Sequence, residues 1–430
     1  MLSAFAAAFR TPDLRKKLLF TFGIIALFRL GSVVPTPGVS YKAIHTCLNQ
    51  VQDNSVYGLI NLFSGGALLQ LSVFALGIMP YITSSIIIQL LTVVIPRLET
   101  LKKEGQSGQA KITQYTRFLT IGLAILQSTT IITLARTPGR LFSGCNEQLV
   151  PDQTISILLT MVIVMTAGTA LIMWLGELIT DRGVGNGMSI LIFTSIIATF
   201  PGQLINIFKI DGAFKFVLTL AVGLVTIAAV VFVEQAQRRI PVQYAKRQIG
   251  RRSYGGTSTY LPIKINMSGV IPVIFASSIL YLPSLIVQLT GSQARWAQWV
   301  STYFAPGREA YLVANFLLII FFAYFYVSIT FNPDDVSDDM KKYGGFIPGI
   351  RAGKPTAEYL AYVLNRINLP GSLYLALIAT IPYIAFNILG VGNRFIFGGT
   401  SLLIMVGVGL DTLKQIESQL QQRNYEGFLK

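Results

Sequence analysis

The sequence predicts an all-α integral membrane protein with ten transmembrane helices. Apolar stretches follow one another from Leu18 to about Leu413, and a span needs about 20 predominantly apolar residues. Hydrophobic residues make up 52% of the 430 residues, charged residues make up only 12%, and the mean hydropathy is +0.59. Because soluble domains carry roughly a quarter charged residues, we expect lipid to surround most of this chain.

The apolar stretches place five spans before residue 205 and five after it. An equal count suits two halves of inverted topology, residues 1–205 and 206–430, although no sequence repeat relates them. No small-residue cleavage site follows the first stretch, so we expect it to remain as a span. The predicted spans are residues 18–34, 73–95, 115–134, 155–175, 187–200, 214–233, 267–289, 310–330, 371–388 and 396–413.

The distribution of basic residues predicts the orientation. Lysine and arginine concentrate in the cytoplasmic loops of membrane proteins. With the N-terminus inside, the cytoplasmic segments hold about 25 of the 34 basic residues and the exterior loops about 8. We therefore expect both termini to be cytoplasmic, and the net charge of +15 is consistent with this bias.

The stretch from Tyr57 to Val94 is too long for one crossing and lacks a turn sufficient for two. Residues 57–71 would form a helix only about 22 Å long, weakened by Gly65 and Gly66. We interpret it as a half-length element that enters from outside, followed by a full span from Ser72. Such elements occur at membrane depth only inside protein or beside a water-filled cavity. The alternative is an amphipathic helix lying on the membrane surface.

Two cytoplasmic hairpins, residues 234–265 and 331–370, interrupt the later spans. The first carries seven basic residues between Glu234 and Lys264 against one acidic residue. That concentration suits a topology determinant on a solvated loop, and it equally suits a docking site for a polyanion or an acidic protein.

The sequence offers little catalytic chemistry. His45 is the one histidine, and nothing near it suggests a catalytic set; zinc sites made of Cys and His are excluded by count. The stretch 349–356 resembles a phosphate loop, but its first glycine is one residue too close and Pro355 replaces the Ser or Thr that a metal requires. We therefore expect no enzyme activity, catalytic residue, metal or cofactor.

Two further features concern the exterior side and the spans. Cys47 and Cys145 both lie in predicted exterior loops, where a disulfide is permitted; spacing alone does not establish one, and two free thiols are our expectation.

Charged groups inside the spans are scarce, with Arg29 the clearest. Ion-coupled carriers need titratable groups there, whereas a wide conduit for varied cargo does not.

Several motifs resemble those of the SecY family of protein-conducting channels, in the family's order and over nearly the whole chain. The longest runs from Phe63 to Leu91 and resembles the family's second transmembrane region. The others are Lys102–Gly108, Trp174–Glu177, Gly183–Gly187, Gln237–Ile240, Tyr244–Gln248, Gly269–Ser278, Phe331–Pro333, Phe346–Arg351 and Phe397–Ile404.

The resemblance implies a channel of the bacterial cytoplasmic membrane, with the two halves around a central pore. Unfolded polypeptides cross it, and a lateral gate releases apolar segments into the lipid bilayer. The half-length element would be an exterior plug that includes Leu59, Ile60, Leu62, Phe63, Gly65 and Gly66. The family's pore ring maps onto Ile78, Ile82, Met188, Ile192, Ile274 and Ile404.

The spacing of the ring residues is compatible with that role. Ile78 with Ile82, and Met188 with Ile192, are i, i+4 pairs that lie on one helix face. A ring of aliphatic side chains can dewet when closed. Met188 departs from the family's commoner isoleucine, but a flexible thioether can also fill a gap. On spacing alone, the same residues would suit ordinary packing or a lipid-facing surface.

The resemblance also implies a gate and docking surfaces. Thr83, Gln127 and Asn266 should form a polar cluster where the second and third spans meet the seventh. The hairpins resemble docking loops for the ribosome and its RNA and for the SecA motor ATPase, and Arg351 matches the family's key loop arginine. SecE and SecG would be small membrane partners, while signal sequences and nascent polypeptides would be cargo. The docking residues are Arg238, Arg239, Lys246, Arg247, Arg251, Arg252 and Arg351.

Two other classes of protein fit the same hydropathy. A secondary transporter of small solutes would need titratable groups at span midpoints and would show ion-coupled uptake. A non-conducting scaffold would show no conductance even after deletion of residues 57–71. The large basic hairpins and the short plug favour a channel.

Overall fold

The structure is a computed structural model of the full chain. It describes residues 9, 11–50, 64–136, 147–244, 247–249, 252–254, 258–290, 295–304, 308–388, 390 and 398–427.

The first half of the chain is built of helices whose ends follow local sequence signals. Pro12 and Pro96 each begin a helix, where the missing N–H removes no intrahelical bond. Asn186 caps another by accepting from two backbone N–H groups. The helices are α1 Pro12–Val33, α2 Tyr41–Gln50, α3 Met79–Val94, α4 Pro96–Lys103, α5 Gln106–Ala135, α6 Ile155–Arg182 and α7 Gly187–Ile210.

The second half begins after a break at Gly212, whose φ of 85° and ψ of 170° separate α7 from α8. Asn332 caps α12, which has acidic residues in its first turn and lysines in its last, as the helix dipole favours. The helices are α8 Gly212–Gln235, α9 Ile271–Thr290, α10 Arg295–Tyr303, α11 Glu309–Thr330, α12 Pro333–Lys342, α13 Lys354–Ile388 and α14 Gly399–Gly427.

Each of the ten predicted spans overlaps one of these helices. Among the described residues, six are long and apolar enough to cross a bilayer, and α3 with α4 makes a seventh if that pair is one span bent by 99°. The bend lies at Ile95, which is extended (φ −99°, ψ 112°), as a residue before proline prefers. α9 contains a shorter apolar helical stretch, Ile271–Leu280.

The prediction of a full helical span from Ser72 is wrong. Residues 65–78 form turns with one bridging residue, and the helix begins only at Met79. Leu71 (φ 44°) and Gly77 (φ 56°) have left-handed backbone conformations, which a continuous right-handed helix cannot include. The sequence pattern could not reveal this, because the segment is as apolar as a helix would be. We call residues 64–78 the stem.

The two hairpins are joined in one sheet, which the all-α prediction did not include. β1 Gln237–Tyr244 pairs antiparallel with β4 Ser258–Lys264 in the first hairpin. β5 Gly345–Phe346, from the second hairpin, pairs with the other edge of β1 and gives the order β4-β1-β5. Two short strands, β2 Arg247–Ile249 and β3 Arg252–Tyr254, pair beyond them. We call the three-stranded unit the hairpin sheet.

Apolar contacts hold these elements in distinct clusters. The largest, which we call the central cluster, draws residues from α1, α3, α6, α7, α9, α11, α13 and α14 and therefore joins both halves. A separate cluster packs the hairpin sheet against α13 through Ile240, Ile263, Leu360 and Val363. Large apolar side chains nevertheless remain outside; Phe214 and Phe232 on α8 are 81% and 79% exposed. Such a surface suits lipid as the solvent.

Candidate pore and its surroundings

A cavity of about 390 Å³, which we call the vestibule, lies between α7, α9 and α14 next to the hairpin sheet. Its rim is polar. Asn186 Oδ1 accepts hydrogen bonds from the backbone N–H groups of Met188 (3.1 Å) and Ser189 (3.3 Å). Lys264, at the end of β4, pairs with Asp411 of α14 at 3.6 Å. Polar groups therefore form part of the lining of this cavity.

Part of the vestibule's lining is apolar. Ile192 of α7, Ile274 of α9 and Val408 of α14 line it and belong to, or pack against, the central cluster. The lining of the cavity is therefore partly polar and partly aliphatic, and its aliphatic side chains offer no hydrogen bonds.

The structure places all six predicted ring residues in or against the central cluster. Four are buried in it, namely Ile78, Ile82, Ile192 and Ile404. Met188 and Ile274 are half-buried and pack against it. These residues come from both halves of the chain, and none of them is exposed on the outer surface. This environment is the one expected if the six side chains pack together in a closed constriction.

Met188 differs from the other members in its immediate contacts. Its thioether sulfur lies against Gly176 of α6, leaving no room for a side chain there. The contact ties the start of α7 to α6. Ile192, one turn later on the same face, lines the vestibule. Met188 therefore packs partly as an interhelical contact, which its unbranched side chain permits.

The stem packs beside the C-terminal end of α1, and its Phe74 and Ile78 belong to the central cluster. Leu71 O accepts from Thr36 N at 3.0 Å, and Val73 N donates to Val34 O at 2.9 Å, so the stem pairs with the residues that follow α1. Phe74 stacks on Phe28 of α1 at 6.0 Å between ring centroids.

Of the predicted plug residues, only Gly65 and Gly66 are described. They lie at the start of the stem with φ values of +66° and +93°, a conformation that favours glycine. Ser64 Oγ accepts a hydrogen bond from Leu68 N at 3.1 Å. The remaining plug residues, Leu59, Ile60, Leu62 and Phe63, lie outside the described residues.

The expectation of two free thiols is wrong. Cys47 is fully buried in α2 and is disulfide-bonded. The chain contains one other cysteine, Cys145, which lies outside the described residues. Cys47 packs in a cluster with residues of the stem and of α6, including Leu68, Leu71 and Met165. Sequence spacing could not indicate this proximity, because it arises from packing across distant segments.

The contacts between helices are uneven around α9. α3 packs extensively on α5, and α9 packs extensively on α11, whereas few contacts join α9 to α3 or to α5. A seam of limited contact therefore separates α9 from the α3–α5 pair. This seam is where the resemblance places a lateral gate.

The predicted polar cluster at this seam is not joined by hydrogen bonds in the described structure. Thr83 Oγ1 donates to Met79 O within α3 at 2.9 Å. Gln127 is half-buried on α5. Asn266 Nδ2 donates to Glu234 Oε2 at 3.0 Å, so its amide binds the end of α8 rather than α3 or α5.

Asn266 is the centre of a buried hydrogen-bond network that the sequence did not indicate. Its Nδ2 also donates to Gly269 O at 3.1 Å, and its Oδ1 accepts from Ser268 Oγ at 3.1 Å. Asn266, Ser268 and Glu234 are each at most 4% exposed. The network fixes the residues that lead into α9.

The hairpins present part of the predicted docking set. Arg238 and Arg239 on β1 and Arg351 in the second hairpin are exposed. Arg351 O accepts a hydrogen bond from Thr356 Oγ1 at 2.8 Å, which fixes the backbone there. The backbones of Arg247 and Arg252 lie in β2 and β3, while Lys246 and Arg251 lie outside the described residues.

Sequence reasoning missed the polar rim of the vestibule and an ion pair between α5 and α6. Arg117 Nε and Nη2 bind the two carboxylate oxygens of Glu177 at 2.9 and 2.7 Å. Asn186 did carry a signal, since asparagine before a helix start is a common N-cap. The partners of Lys264 and Arg117 are distant in sequence, and no local pattern indicates them.

Comparison with known proteins identifies the family. The family model SecY matches residues 72–413. The SecY protein translocase subunit of Streptomyces scabiei is 66% identical over the full length of both chains. The SecY protein translocase subunit of Mycobacterium tuberculosis is 58% identical, again over both full lengths.

Solved structures share the fold at low identity. A protein-conducting channel superposes with a TM-score of 0.65 at 17% identity, covering 94% of this chain and 91% of that one. A channel from a canine ribosome–channel complex of the endoplasmic reticulum gives a TM-score of 0.61 at 16% identity, with the same coverage of 94% and 91%. The family match over most of the chain, together with full-length relatives, means that this chain belongs to the SecY family of protein translocase subunits.

Proposed function

We propose that this chain is a passive protein-conducting channel through which unfolded polypeptides cross the cytoplasmic membrane. The observation that supports this most directly is the vestibule, whose lining combines polar groups beside the hairpin sheet with Ile192 and Ile274 of the central cluster region. A cavity with both kinds of lining can admit a hydrated chain without binding it tightly. The full-length relatives are translocase subunits.

In this proposal the six ring residues form the constriction. Branched aliphatic side chains exclude water from a narrow passage when no polypeptide occupies it. They make no directional bonds, so a polypeptide of any sequence can slide past them. Met188 would contribute least to the seal, because its sulfur packs on Gly176.

Residues 57–71 would form the plug on the exterior side. The stem is buried and tied to α1 and to the residues after it, so it provides a fixed attachment for the preceding residues. Non-helical backbone of this kind is tolerated at membrane depth where protein or a cavity surrounds it.

The seam between α9 and the α3–α5 pair would be the lateral gate. Few contacts hold it, so a signal sequence that packs between these helices replaces little native contact. Apolar segments of a nascent polypeptide would leave the pore there and enter the bilayer. Of Thr83, Gln127 and Asn266, the three residues predicted as a polar cluster, Asn266 would modulate the opening through its network at the entry to α9. Thr83 would not, because it donates within its own helix.

The remaining assignments concern topology and partners. All ten helices that overlap the predicted spans would cross the membrane, in two halves (1–205 and 206–430) with both termini in the cytoplasm. SecE and SecG would pack against the exposed apolar surface. The work of translocation would come from SecA or from the ribosome, because the stretch 349–356 departs from the phosphate-loop pattern that an ATPase would need.

The hairpin sheet would be the docking surface for these motors. Arg238, Arg239 and Arg351 are exposed there, and binding of arginines to ribosomal RNA releases counterions and weakens with salt. Replacing Arg251, Arg252 and Arg351 by Glu should abolish ribosome binding at moderate salt without unfolding the chain. Unchanged affinity in that variant would exclude this surface as the dock.

Reconstitution with the partner subunits in planar bilayers tests the channel itself. We expect a closed resting state, a conducting state after deletion of residues 57–71, and transport of a signal-bearing precursor into vesicles when the motor is added. As a matched variant, Ile192→Ser with Ile274→Ser should raise resting conductance, because hydroxyl groups would let water fill the constriction. Absence of conductance in the deletion variant would contradict the proposal.

A further inference from the structure

Arg29 places a charge inside the apolar helix α1, four residues before its end at Val33. Its Nη1 donates to the backbone carbonyl of Gly65 at 2.8 Å. Among the described residues, Arg29 has no carboxylate partner within ion-pair distance. Burying a guanidinium is unfavourable unless its donors are used. The carbonyl of the stem is thus a specific acceptor for this side chain.

The surroundings of Gly65 show how closely the stem is held at this point. A Cβ added at Gly65 would lie 3.0 Å from Arg29 Nη1 and 3.2 Å from Ser195 Cα of α7. The backbone of Gly65 therefore lies between α1 and α7. Its φ of +66° is costly for residues with a side chain.

The rest of the stem is held by contacts of a different kind. Further along, it is fixed by the stacking of Phe74 on Phe28 and by the pairing with residues 34–36. Those contacts lie at Leu71 and beyond, whereas the Arg29 contact holds the first residues of the stem. They include Gly65 and Gly66, the described members of the predicted plug. Arg29 is therefore placed to hold the described end of the plug, where it continues into the rest of the stem.

We propose that Arg29 is a positioning residue for the plug, and that its hydrogen bond to Gly65 helps to keep the resting channel closed. The proposal rests on the channel function given above and adds a residue that controls it. A charge-assisted hydrogen bond is roughly twice as strong as a neutral one. When the plug moves and water enters the pore, the freed guanidinium can bind water or carbonyl groups of the passing chain. The contact therefore favours the closed state without preventing opening.

The test compares Arg29→Met, which removes the charge, with Arg29→Lys, which retains it in a different geometry. The complete complex with its partner subunits is reconstituted in planar bilayers for resting conductance. In parallel, cells export a reporter that carries a defective signal sequence. Arg308→Met serves as the control, because Arg308 lies in a predicted exterior loop and is exposed at the start of α11.

We expect Arg29→Met to raise resting open probability about tenfold, which corresponds to about 1.4 kcal/mol, and to raise export of the defective-signal reporter. Arg29→Lys should give a smaller increase, and Arg308→Met should match the wild type. Gly65→Ala should open the channel like Arg29→Met. If both substitutions act through the same hydrogen bond, the resting open probability of the double variant should be no more than about twice that of either single variant.

The proposal would be overturned if a folded Arg29→Met channel kept the resting conductance of the wild type and rejected the defective signal sequence as strictly as the wild type does. The proposal would also be overturned if Arg29→Met, Arg29→Lys and Gly65→Ala all reduced export of the reporter and lowered the unfolding temperature. That pattern would indicate a merely structural role. If Arg29→Met cannot be recovered folded, Arg29→Lys and Gly65→Ala decide the question by the same two measurements. If a chain with Arg29 intact but residues 57–71 deleted stays non-conducting, that result would instead refute the channel function.

Discussion

Replacing Asn266 by Leu tests how the entry to α9 controls the gate. The change keeps the side-chain size similar but removes the two hydrogen bonds that Nδ2 donates and the one that Oδ1 accepts. Hydrogen bonds to a charged group contribute about 1.5–3 kcal/mol, and neutral ones about 0.5–1.5 kcal/mol each. Glu234 would remain only 4% exposed without this donor, although Lys264 and Lys414 still attract it.

From these contacts we expect Asn266→Leu to lower the free energy of unfolding by about 2.5–6 kcal/mol. The effect of Asn266→Leu on the gate follows from the position of Asn266 at the entry to α9. The network fixes the residues that lead into α9, and α9 forms one side of the seam, so loosening it should make opening easier. Export of a reporter with a defective signal sequence should therefore increase.

Thermal unfolding in detergent and the export assay measure the two effects separately. Thr83→Val is the matched control from the same predicted cluster, because Thr83 donates only to Met79 within its own helix. We expect it to change neither readout appreciably. Wild-type stability and stringency in Asn266→Leu, or equal effects in both variants, would refute the reasoning.

Three further predictions concern packing, redox state and an ion pair. Gly168→Ala should destabilise the fold by about 1–3 kcal/mol because its Cβ would meet a stem carbonyl, whereas Gly122→Ala, with nothing within 4 Å, should be neutral or stabilising in thermal melts. Cys47 in the native protein should resist alkylation until the disulfide is reduced. After reduction, mass spectrometry should show two modified thiols. Alkylation of Cys47 without a reductant would contradict the disulfide. Glu177→Gln removes a bidentate partner of Arg117 and should cost about 1 kcal/mol, and an unchanged melting temperature would show that the pair adds nothing.

The sequence was sufficient to locate the ten helices that overlap the predicted spans, because each contains a long apolar stretch. It did not predict the short, more polar helices α2, α4, α10 and α12. The six predicted ring residues came from family motifs, and the structure places four of them in the central cluster and two against it. Periodicity alone could not have distinguished them from other buried isoleucines such as Ile179.

The stem and the hairpin sheet could not be predicted in the same way. The stem is apolar throughout, and its departure from helix depends on left-handed backbone at Leu71 and on pairing with residues 34–36. The sheet requires β5 to meet β1 across about 100 residues of chain. The hydrogen bonds of Asn266 depend on which helix end packs beside it. Each of these features is set by tertiary contacts that leave no local pattern.

The pairing of β5 with β1 has a practical consequence for domain exchange between relatives. A chimaera that received only the first hairpin from another organism would combine foreign residues on β1 with a resident strand and resident side chains of α13. Such a mismatch would disturb backbone pairing and apolar packing together. Swaps intended to transfer motor preference should therefore exchange both hairpins and the adjoining turns of α13 as one unit.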